Sequence, residues 1–582
     1  MTTATQENTQ TSGIRSKAEK GIGKWFGSSK SLTYDQTGIQ AIFEKTDAPA
    51  FIVRGEDGRI GVADRIGTDN KSDLVTAELL ATLPAYAPEQ LGDSSFRETY
   101  GLKYNYMTGA MANGIGSAEL VIAGSKAGIL SSFGAGGMVL HRVEEGIKQI
   151  QAGVGDGAYA VNLIHSPAEE ALERNAAELF MKMGVTVVEA SAFMDLTPHI
   201  VRYRASGLSK NADGSVAIKN RVISKISRLE VAKKFLRPAP ESILSGLVAE
   251  NKITAEQAEL AKLVPMADDI TVEADSGGHT DRRSLVCLLP SIIALRNDIQ
   301  TELNYKQEVR VGAGGGIGTP ESLLATFAVG AAFAVTGSIN QATRESGSSD
   351  HVRKVLAEAD SADVMMAPAA DMFELGVKLQ VLKKGSLFGL RAQKLYDAYV
   401  DYESLEEIPE KERESLEKTV FKDSLENIWT GCVSFFEERD PEQLVRAKDN
   451  PKRKMALVFR WYLGLSSAWA NSGEKGREMD YQIWCGPAMG AFNGWVKGSR
   501  LEGWENRHVD DVAMELLKGG AYLFRLQYLE LYGIHLDPKY RQVVVKIVQP
   551  IIYEEVSNSA HRSADWNPIR SLQKEGKVPG LR

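Results

Sequence analysis

The segment VRVGAGGGIGTPESLLATFAVGAAFAVTGS, residues 309–338, decides the fold. A short apolar run leads into a glycine-rich stretch, and a helical stretch opens at Pro320, where proline is typical of a helix start. A second apolar run then ends at Gly337 and Ser338. Strand, helix and strand in succession predict a parallel pair, because the crossover returns the chain to the same direction.

The same unit repeats upstream. Short apolar runs end in glycine or polar residues, and amphipathic helical stretches separate most of them. Eight such units in this length predict a closed (β/α)8 TIM barrel, an α/β fold, rather than an open sheet. The predicted strands are residues 104–109, 129–134, 159–165, 185–190, 221–227, 270–275, 309–314 and 333–338.

The rest of the chain divides around this barrel. Residues 1–30 are polar with little to bury and predict a mobile tail, and residues 31–100 predict an N-terminal cap that contains a hairpin. The barrel itself, residues 101–384, carries a predicted helical insertion at about residues 228–265. Residues 385–582 are charged and aromatic and predict a mostly helical C-terminal region.

The composition excludes several classes of protein. The 582 residues are 43% hydrophobic, no apolar run approaches the ~18 residues of a membrane span, and the N-terminus lacks the apolar core of a secretory signal. We therefore expect a cytoplasmic protein with no membrane partner. The net charge of −8 is spread along the chain and indicates no nucleic-acid partner. Three distant cysteines predict neither a disulfide framework nor a metal site.

The loops after the seventh and eighth strands are the candidate phosphate site. Barrels of this kind place the active site at the carboxyl ends of the strands, where these two loops commonly hold a phosphate. Glycine lets main-chain N–H groups approach an anion, and a helix N-terminus adds about half a positive charge. The spacing matches neither the dinucleotide-binding G-x-G-x-x-G pattern nor a P-loop. The predicted phosphate contacts are Gly314, Gly315, Gly316, Thr336, Gly337 and Ser338.

Small residues near the barrel mouth leave room for a flat ring. Gly109, Ala110 and Met111 follow the first strand, and Asn162 in the third strand can offer an amide to a polar ring edge. A planar cofactor with a phosphate tail satisfies these positions and the two glycine loops together. FMN is such a molecule, and we expect it as the cofactor.

His279 is the candidate catalytic residue. It follows Gly277 and Gly278 after the sixth strand, where main chain can pass close to a ligand, and Gly278 is a further predicted cofactor contact. An imidazole there could donate a proton or hydrogen-bond a carbonyl oxygen at neutral pH. Paired strand-end acids could also indicate a glycosidase, but a hydrolase has no use for two anion-binding loops. Those acids are Glu189, Asp195, Glu273 and Asp275.

Several long motifs of the chain are characteristic of one enzyme family. They include MTGAMANGIGSAELVIAGSKAG (107–128), VEADSGGHTDRR (272–283), VGAGGGIGTPE (311–321) and DYQIWCGPAMGAFNGWVKGSRLE (480–502). With these motifs the chain resembles the trans-acting enoyl reductases, which comprise the PfaD-type subunits of polyunsaturated fatty acid synthases and the stand-alone reductases of trans-acyltransferase polyketide synthases. The barrel alone also resembles nitronate monooxygenases and FabK-like enoyl reductases.

The resemblance implies an activity and its partners. It implies an FMN-bound barrel that passes hydride from NADPH to an enoyl thioester on the acyl carrier protein domains of a multienzyme synthase. The same resemblance implies a homodimer and places His279 beside the reacting centre, with His279 or water as the proton donor. A basic stretch with Lys383, Lys384, Arg391 and Lys394 is a candidate docking surface for the acidic carrier.

Alternatives remain open at this point. A nitronate monooxygenase-like flavin oxidase would need no carrier, although the added helical region argues against it. A non-catalytic synthase subunit would bind no flavin. Aromatic residues at helical spacing in the C-terminal region, among them Trp461, Trp469 and Trp484, favour core packing, with an acyl or partner groove as the alternative.

Overall fold

A computed structural model describes residues 12–545 of the chain, without 69–70, 166 and 168–169. The N-terminal elements are β1 (Ile14–Ser16), β2 (Gly23–Ser28), β3 (Leu32–Thr33), α1 (Gln36–Glu44), β4 (Ala50–Arg54), β5 (Ile60–Ala63), β6 (Leu74–Leu83) and α2 (Ser94–Tyr100). Five of these strands form an antiparallel sheet in the order β2-β6-β4-β5-β3. The pairing of β4 with β5 confirms the predicted hairpin.

The predicted mobile tail is wrong over its described part. β2 pairs along its whole length with β6, and β1 pairs with residues 534–536 near the other end of the chain. Trp25 on β2 is fully buried, and its indole N–H donates to the carbonyl of Arg65 at 2.9 Å. The segment is polar, but distant strands supply the partners that order it. Residues 1–11 lie outside the described residues.

All eight predicted barrel strands form, with ends that agree within two residues. The barrel region contains β7 (Tyr106–Thr108), α3 (Ala118–Lys126), β8 (Leu130–Phe133), α4 (Leu140–Val154), β9 (Ala160–Ile164), α5 (Glu170–Lys182), β10 (Val187–Ser191), α6 (Pro198–Ser206), β11 (Leu208–Lys210), β12 (Val216–Ile218), β13 (Arg221–Ile226), α7 (Leu229–Leu236), α8 (Glu241–Ala249), α9 (Ala255–Ala261), β14 (Asp269–Glu273), β15 (Gly278–His279), α10 (Leu285–Leu303), β16 (Arg310–Gly314), α11 (Pro320–Ala328), β17 (Ala334–Thr336), α12 (Ser338–Gln341) and α13 (Asp350–Ala357).

Parallel pairing closes the barrel in chain order. β7, β8, β9, β10, β13, β14, β16 and β17 each pair with the next strand, and β17 pairs back with β7. The helical insertion is present as α7, α8 and α9, of which α8 and α9 pack on α6 in the outer layer. A small hairpin, β11 with β12, interrupts the alternation before β13 and has no counterpart among the predicted elements.

The C-terminal region is mostly helical, as predicted. It comprises β18 (Val364–Pro368), β19 (Lys378–Leu382), α14 (Phe388–Asp401), α15 (Glu410–Leu416), α16 (Leu425–Arg439), α17 (Pro441–Ala447), α18 (Pro451–Ser472), α19 (Ala488–Val496), α20 (Val509–Leu531) and β20 (Ile534–Leu536). β19 joins β15 and β18 in one antiparallel sheet and so ties the loop after β14 to this region. Residues 546–582 lie outside the described residues. Across the described chain, none of the helices combines the length and apolarity that crossing a bilayer requires.

A buried ion pair lies at the amino end of the barrel, opposite the carboxyl ends of the strands. The guanidinium of Arg310 donates to both oxygens of Asp269, at 2.6 and 2.9 Å. Tyr100 at the end of α2 donates to the same carboxylate at 2.6 Å. Both charged side chains are almost fully shielded from solvent. The pair therefore holds α2 across this end of the barrel.

We expect Asp269→Asn to lower the free energy of unfolding by about 3 to 5 kcal/mol, because it leaves the Arg310 charge buried without its counter-ion. Urea unfolding followed by tryptophan fluorescence measures the change. The matched control is Asp73→Asn, which removes the exposed pair with Lys30 and should cost at most about 1 kcal/mol. Equal losses in the two variants would contradict a structural role for the buried pair.

Candidate functional site

One large cavity opens at the carboxyl ends of the barrel strands. Its volume is about 1430 Å³, and it extends from the barrel mouth to the C-terminal helices. Every residue predicted for the site lines this cavity. They are Gly109, Ala110, Met111, Asn162, Gly278, His279, Gly314, Gly315, Gly316, Thr336, Gly337 and Ser338.

The two glycine loops lie side by side at the rim. The register of β16 with β17 sets Gly314 beside Val335, so the turns that follow these residues are neighbours. Gly315 and Gly316 adopt φ of +97° and +75°, a backbone region that favours glycine. A Cβ added at Gly316 would meet nothing within 4 Å, and the same holds at Gly337, so both loops are open to the cavity.

Main-chain donors in these loops are available to a ligand. None of the described residues accepts a hydrogen bond from four N–H groups, those of Gly315, Gly316, Gly337 and Ser338. Gly316 is exposed and the other three residues are half-buried, so these N–H groups face the open cavity, where a ligand can reach them. Neighbouring main-chain N–H groups that are free to donate can form an anion-binding site, and a phosphate is the anion that such loops commonly hold.

The C-terminal region completes this rim. The N–H of Gly486 donates to Ser338 Oγ at 2.9 Å, which leaves the hydroxyl hydrogen of Ser338 for an acceptor in the cavity. The contact between the segments is main chain on main chain. A Cβ at Gly277 would lie 2.8 Å from the nitrogen of Cys485, and one at Gly318 would lie 2.2 Å from the carbonyl oxygen of Ala488. The segment 484–488 is therefore part of the site, a contribution that sequence reasoning missed.

Two predicted contacts are already hydrogen-bonded within the barrel wall. The hydroxyl of Thr336 lies 2.6 Å from that of buried Tyr106, so this side chain supports the loop. Asn162 Nδ2 donates to the carbonyl of Glu189 at 3.1 Å and to Ser191 Oγ at 2.9 Å. Both amide hydrogens of Asn162 are thus in use, and the group that it can offer a ligand is its Oδ1 acceptor.

A cluster of charged side chains lies below the rim, with Glu189 buried and Lys225 and Glu273 half-buried. Lys225 on β13 forms an ion pair with Glu273 at 3.0 Å, and Glu189 Oε2 accepts from the N–H of Ala110 at 2.7 Å. Burial raises the pKa of Glu189, while the nearby Lys225 opposes that rise. Burial lowers the pKa of Lys225, but the charges of Glu273 and Glu189 outweigh it and the net pKa is raised. The ammonium of Lys225 is therefore a fixed positive charge in the cavity.

Sequence reasoning noticed the two carboxylates of this cluster but missed the lysine. The available signal was a lysine close to the carboxyl end of an otherwise apolar strand segment, where a barrel side chain can reach the mouth. Of the other strand-end acids, Asp195 forms a surface ion pair with Lys234, and Asp275 accepts from Gln380 at 2.8 Å.

His279 has a carboxylate partner. Its Nε2 lies 3.1 Å from Asp371 Oδ1, and the pairing of β15 with β19 fixes the backbone that carries the imidazole. Burial lowers the pKa of His279, but the charge of Asp371 and the hydrogen bond to it raise the pKa by more, so the net shift is upward. Burial raises the pKa of Asp371, but the charge and hydrogen bond of His279 outweigh it and the net pKa is lowered. The protonated imidazole therefore persists to higher pH than in an isolated histidine.

Helices α16 and α18 close the far side of the cavity. Their contribution is mainly apolar, and it includes Gly431, Phe435, Phe436, Leu457, Trp461 and Gly464. Trp469 is buried in the core of the helical region, as core packing predicts. Trp461 and Trp484 instead line the cavity. The helical region therefore supplies a wall of the site as well as a core of its own.

We expect Asp371→Asn to lower the pKa of His279, because the opposing effect of burial remains when the carboxylate charge is gone. Histidine proton–carbon correlation spectra recorded between pH 5 and pH 9 measure the titration, with His279→Gln identifying the signal. Asp195→Asn, which removes a surface carboxylate paired with Lys234, serves as the control and should leave that signal unchanged. An unmoved His279 titration in Asp371→Asn would show that the ion pair is not formed in solution.

Three protein families match successive stretches of the chain. Residues 25–85 match the N-terminal domain of the fatty acid synthase subunit PfaD, and residues 98–387 match nitronate monooxygenase. Residues 402–481 match the inserted helical domain of acyl-carrier-protein S-malonyltransferase. The chain is 51% identical over 510 residues to a polyunsaturated fatty acid synthase subunit of Thraustochytrium sp., which is 86% of this chain and 33% of that protein.

Two bacterial proteins extend the comparison. The polyketide biosynthesis protein PksE of Bacillus subtilis is 48% identical over 445 residues, which is 76% of this chain and 58% of PksE. The crystal structure of the enoyl reductase domain of MlnA, from the macrolactin biosynthesis cluster of Bacillus amyloliquefaciens, is 40% identical with a TM-score of 0.72. That similarity covers 76% of this chain and 99% of the MlnA domain. The chain thus spans a third of the Thraustochytrium protein but nearly all of the MlnA domain.

Proposed function

The chain belongs to the family of PfaD-type trans-acting enoyl reductases, and from that we propose that it reduces the α,β-double bond of an enoyl thioester. The proposed hydride source is NADPH, the proposed cofactor is FMN, and the substrate is carried on an acyl carrier protein during polyunsaturated fatty acid or polyketide synthesis. The MlnA domain, which is an enoyl reductase, and the synthase relatives support this activity.

One observation carries the proposal. Two adjacent loops leave four main-chain N–H groups unpaired among the described residues, in the same cavity that contains His279. A phosphate-bearing cofactor and a proton donor at one rim are what a flavin-dependent reduction needs from the protein. No nucleophilic side chain is required for this chemistry.

The residues at the rim fit FMN. Its phosphate would be held by the N–H groups of Gly315, Gly316 and Gly337 together with Ser338, and the small residues after β7 would border its ring. When bound, FMN supplies the hydride that is added to the β-carbon of the substrate. The fixed ammonium of Lys225 favours negative charge on a ligand in the barrel mouth, although Glu273 and Glu189 offset part of it.

His279 is the proposed catalytic residue. Reduction adds a hydride to the β-carbon and a proton to the α-carbon, and negative charge develops on the thioester carbonyl oxygen between these events. A protonated imidazole can donate a hydrogen bond to that oxygen or deliver the proton. Asp371 supports the protonated form by raising the pKa of His279 against the effect of burial. Asp371 is therefore a positioning residue that acts through His279.

The partners remain part of the proposal. The basic stretch suggested for carrier docking is less available than the sequence indicates, because the guanidinium of Arg391 is engaged with buried Asp480. The ammonium of Lys394 donates to Ser415 Oγ, and that of Lys384 donates to the carbonyl of Glu358. Exposed Lys383 is therefore the residue of that stretch that we propose for the carrier. The homodimer and the cytoplasmic location likewise stay predictions.

We expect Gly316→Asp to weaken FMN binding at least about tenfold, because the new carboxylate would lie among the N–H groups proposed to hold the phosphate and would repel it. Flavin absorbance of the purified protein and titration of the apoprotein with FMN measure the change. The control is Gly58→Asp in the exposed turn between β4 and β5, since Gly58 has φ of +78° and is equally open at its Cβ. Retained flavin in Gly316→Asp would overturn the assigned phosphate site.

We expect the wild-type protein to oxidise NADPH without oxygen when a crotonyl thioester is present. His279→Gln should slow that turnover about 10²- to 10⁴-fold, because glutamine cannot supply a proton. NADPH should still bleach the flavin of this variant at the wild-type rate in stopped-flow measurements. Turnover of a nitroalkane with oxygen instead of the thioester would favour the nitronate monooxygenase-like oxidase, and colourless protein would favour a non-catalytic synthase component.

A further inference from the structure

The cavity is larger than a cofactor site requires. Small-molecule pockets usually measure about 300 to 1,000 Å³, and this cavity measures about 1430 Å³. Its lining extends from the barrel mouth to α16 and α18, which pack against each other, and we call the part of the cavity that these two helices border the gap between α16 and α18. This part of the cavity is additional to the barrel mouth, where the predicted cofactor contacts lie.

The two ends of the cavity differ in chemistry. The barrel end contains charged groups, unpaired main-chain donors and His279. The helical end is lined by aromatic and aliphatic side chains, with Phe435 and Phe436 from α16 and Leu457 and Trp461 from α18. Arg460 is the charged residue that α18 contributes, and its guanidinium pairs with Glu374 at 3.5 Å. A molecule with a polar reacting head and a long apolar tail would match this distribution of surface.

Two glycines border the helical end. Gly431 lies inside α16 and Gly464 lies inside α18, and both line the cavity. Glycine inside a helix is unfavourable relative to alanine, so a glycine there usually permits close packing. Close packing does not account for these two, because a Cβ at either position would meet nothing within 4 Å. Gly431 is half-buried and Gly464 is exposed, and both leave open space beside the wall of the cavity that they line.

We propose that the gap between α16 and α18 holds the hydrocarbon chain of the acyl substrate, and that Gly431 and Gly464 set the longest chain that fits. The inference rests on the proposed function, since it places the thioester end of the same molecule beside His279. The gap is continuous with the proposed reaction site, which is why its occupant is the tail of that substrate rather than a separate ligand.

The test compares chain lengths in variants that fill the gap. Gly431→Leu and Gly464→Leu are assayed with trans-2-enoyl pantetheine thioesters of four and twelve carbons. We expect the kcat/KM for the twelve-carbon substrate to fall at least about 30-fold, because a pocket rejects groups that no longer fit. The kcat/KM for the four-carbon substrate and the rate of flavin bleaching by NADPH should stay within about twofold of wild type.

Gly246→Leu is the matched control. Gly246 is an exposed glycine inside α8 with nothing within 4 Å of an added Cβ, and it does not line the cavity. This variant should retain wild-type rates with both substrates. Gly431→Ala adds a smaller side chain at the same position. It should lower the kcat/KM for the twelve-carbon substrate less than Gly431→Leu does.

A binding measurement separates this inference from the proposed function. Calorimetry with unreactive dodecyl and butyl pantetheine thioethers reports affinity without turnover. Weaker binding of the dodecyl compound alone in Gly431→Leu supports the gap as a chain site, even if the wild-type protein reduces no enoyl thioester. Equal losses for both compounds, or no loss for either, would overturn the inference while leaving the reductase activity to be judged by its own assay.

Discussion

Contact of main chain with main chain is the constraint on which the site depends. A Cβ at Gly315 would lie 2.8 Å from the carbonyl carbon of Ala274, and a Cβ at Gly277 would lie 2.8 Å from the nitrogen of Cys485. Glycine thus lets the loops after β14 and β16 touch each other and touch the segment 484–488. A shift of any one of the three segments would therefore change its contacts with a neighbouring segment. Main-chain N–H donors that are held in place by such contacts need little reorganisation when a negatively charged group binds beside them. This is the condition for strong electrostatic stabilisation.

The barrel was predictable because its signals are local. Each strand is a short apolar run that ends in glycine or polar residues, and the order of the runs gives the parallel pairing and the adjacency of the last two loops. The N-terminal strands were not predictable in the same way. Residues 12–28 look like a tail because their ordering comes from β6 and β20, whose positions in sequence give no local hint.

The chemistry of the site was also only partly predictable, because it depends on contacts between residues that are distant in sequence. His279 could be identified from its neighbours, but its partner Asp371 lies 92 residues away, in the loop that joins β18 to β19. The sequence places Lys225 in a predicted strand. Its ion pair with Glu273 could not be predicted, because it depends on the register of β13 with β14. Residue types were therefore available from the sequence. The pKa shifts were not, because they arise from distances that only the closed barrel sets.

The helical region offers a way for this barrel to accept a different substrate from other barrels that have the same groups at the rim. The four unpaired N–H groups, the charged cluster of Lys225, Glu273 and Glu189, and His279 belong to the barrel and to the sheet that joins it to β19. The lining that α16 and α18 add is mainly apolar surface and space. Substitutions that change only this apolar lining can therefore alter which substrate fits without altering the groups proposed to reduce it. Since a hydrophobic pocket discriminates mainly by size, the proposed role of Gly431 and Gly464 in limiting chain length requires no change in any charged residue at the rim.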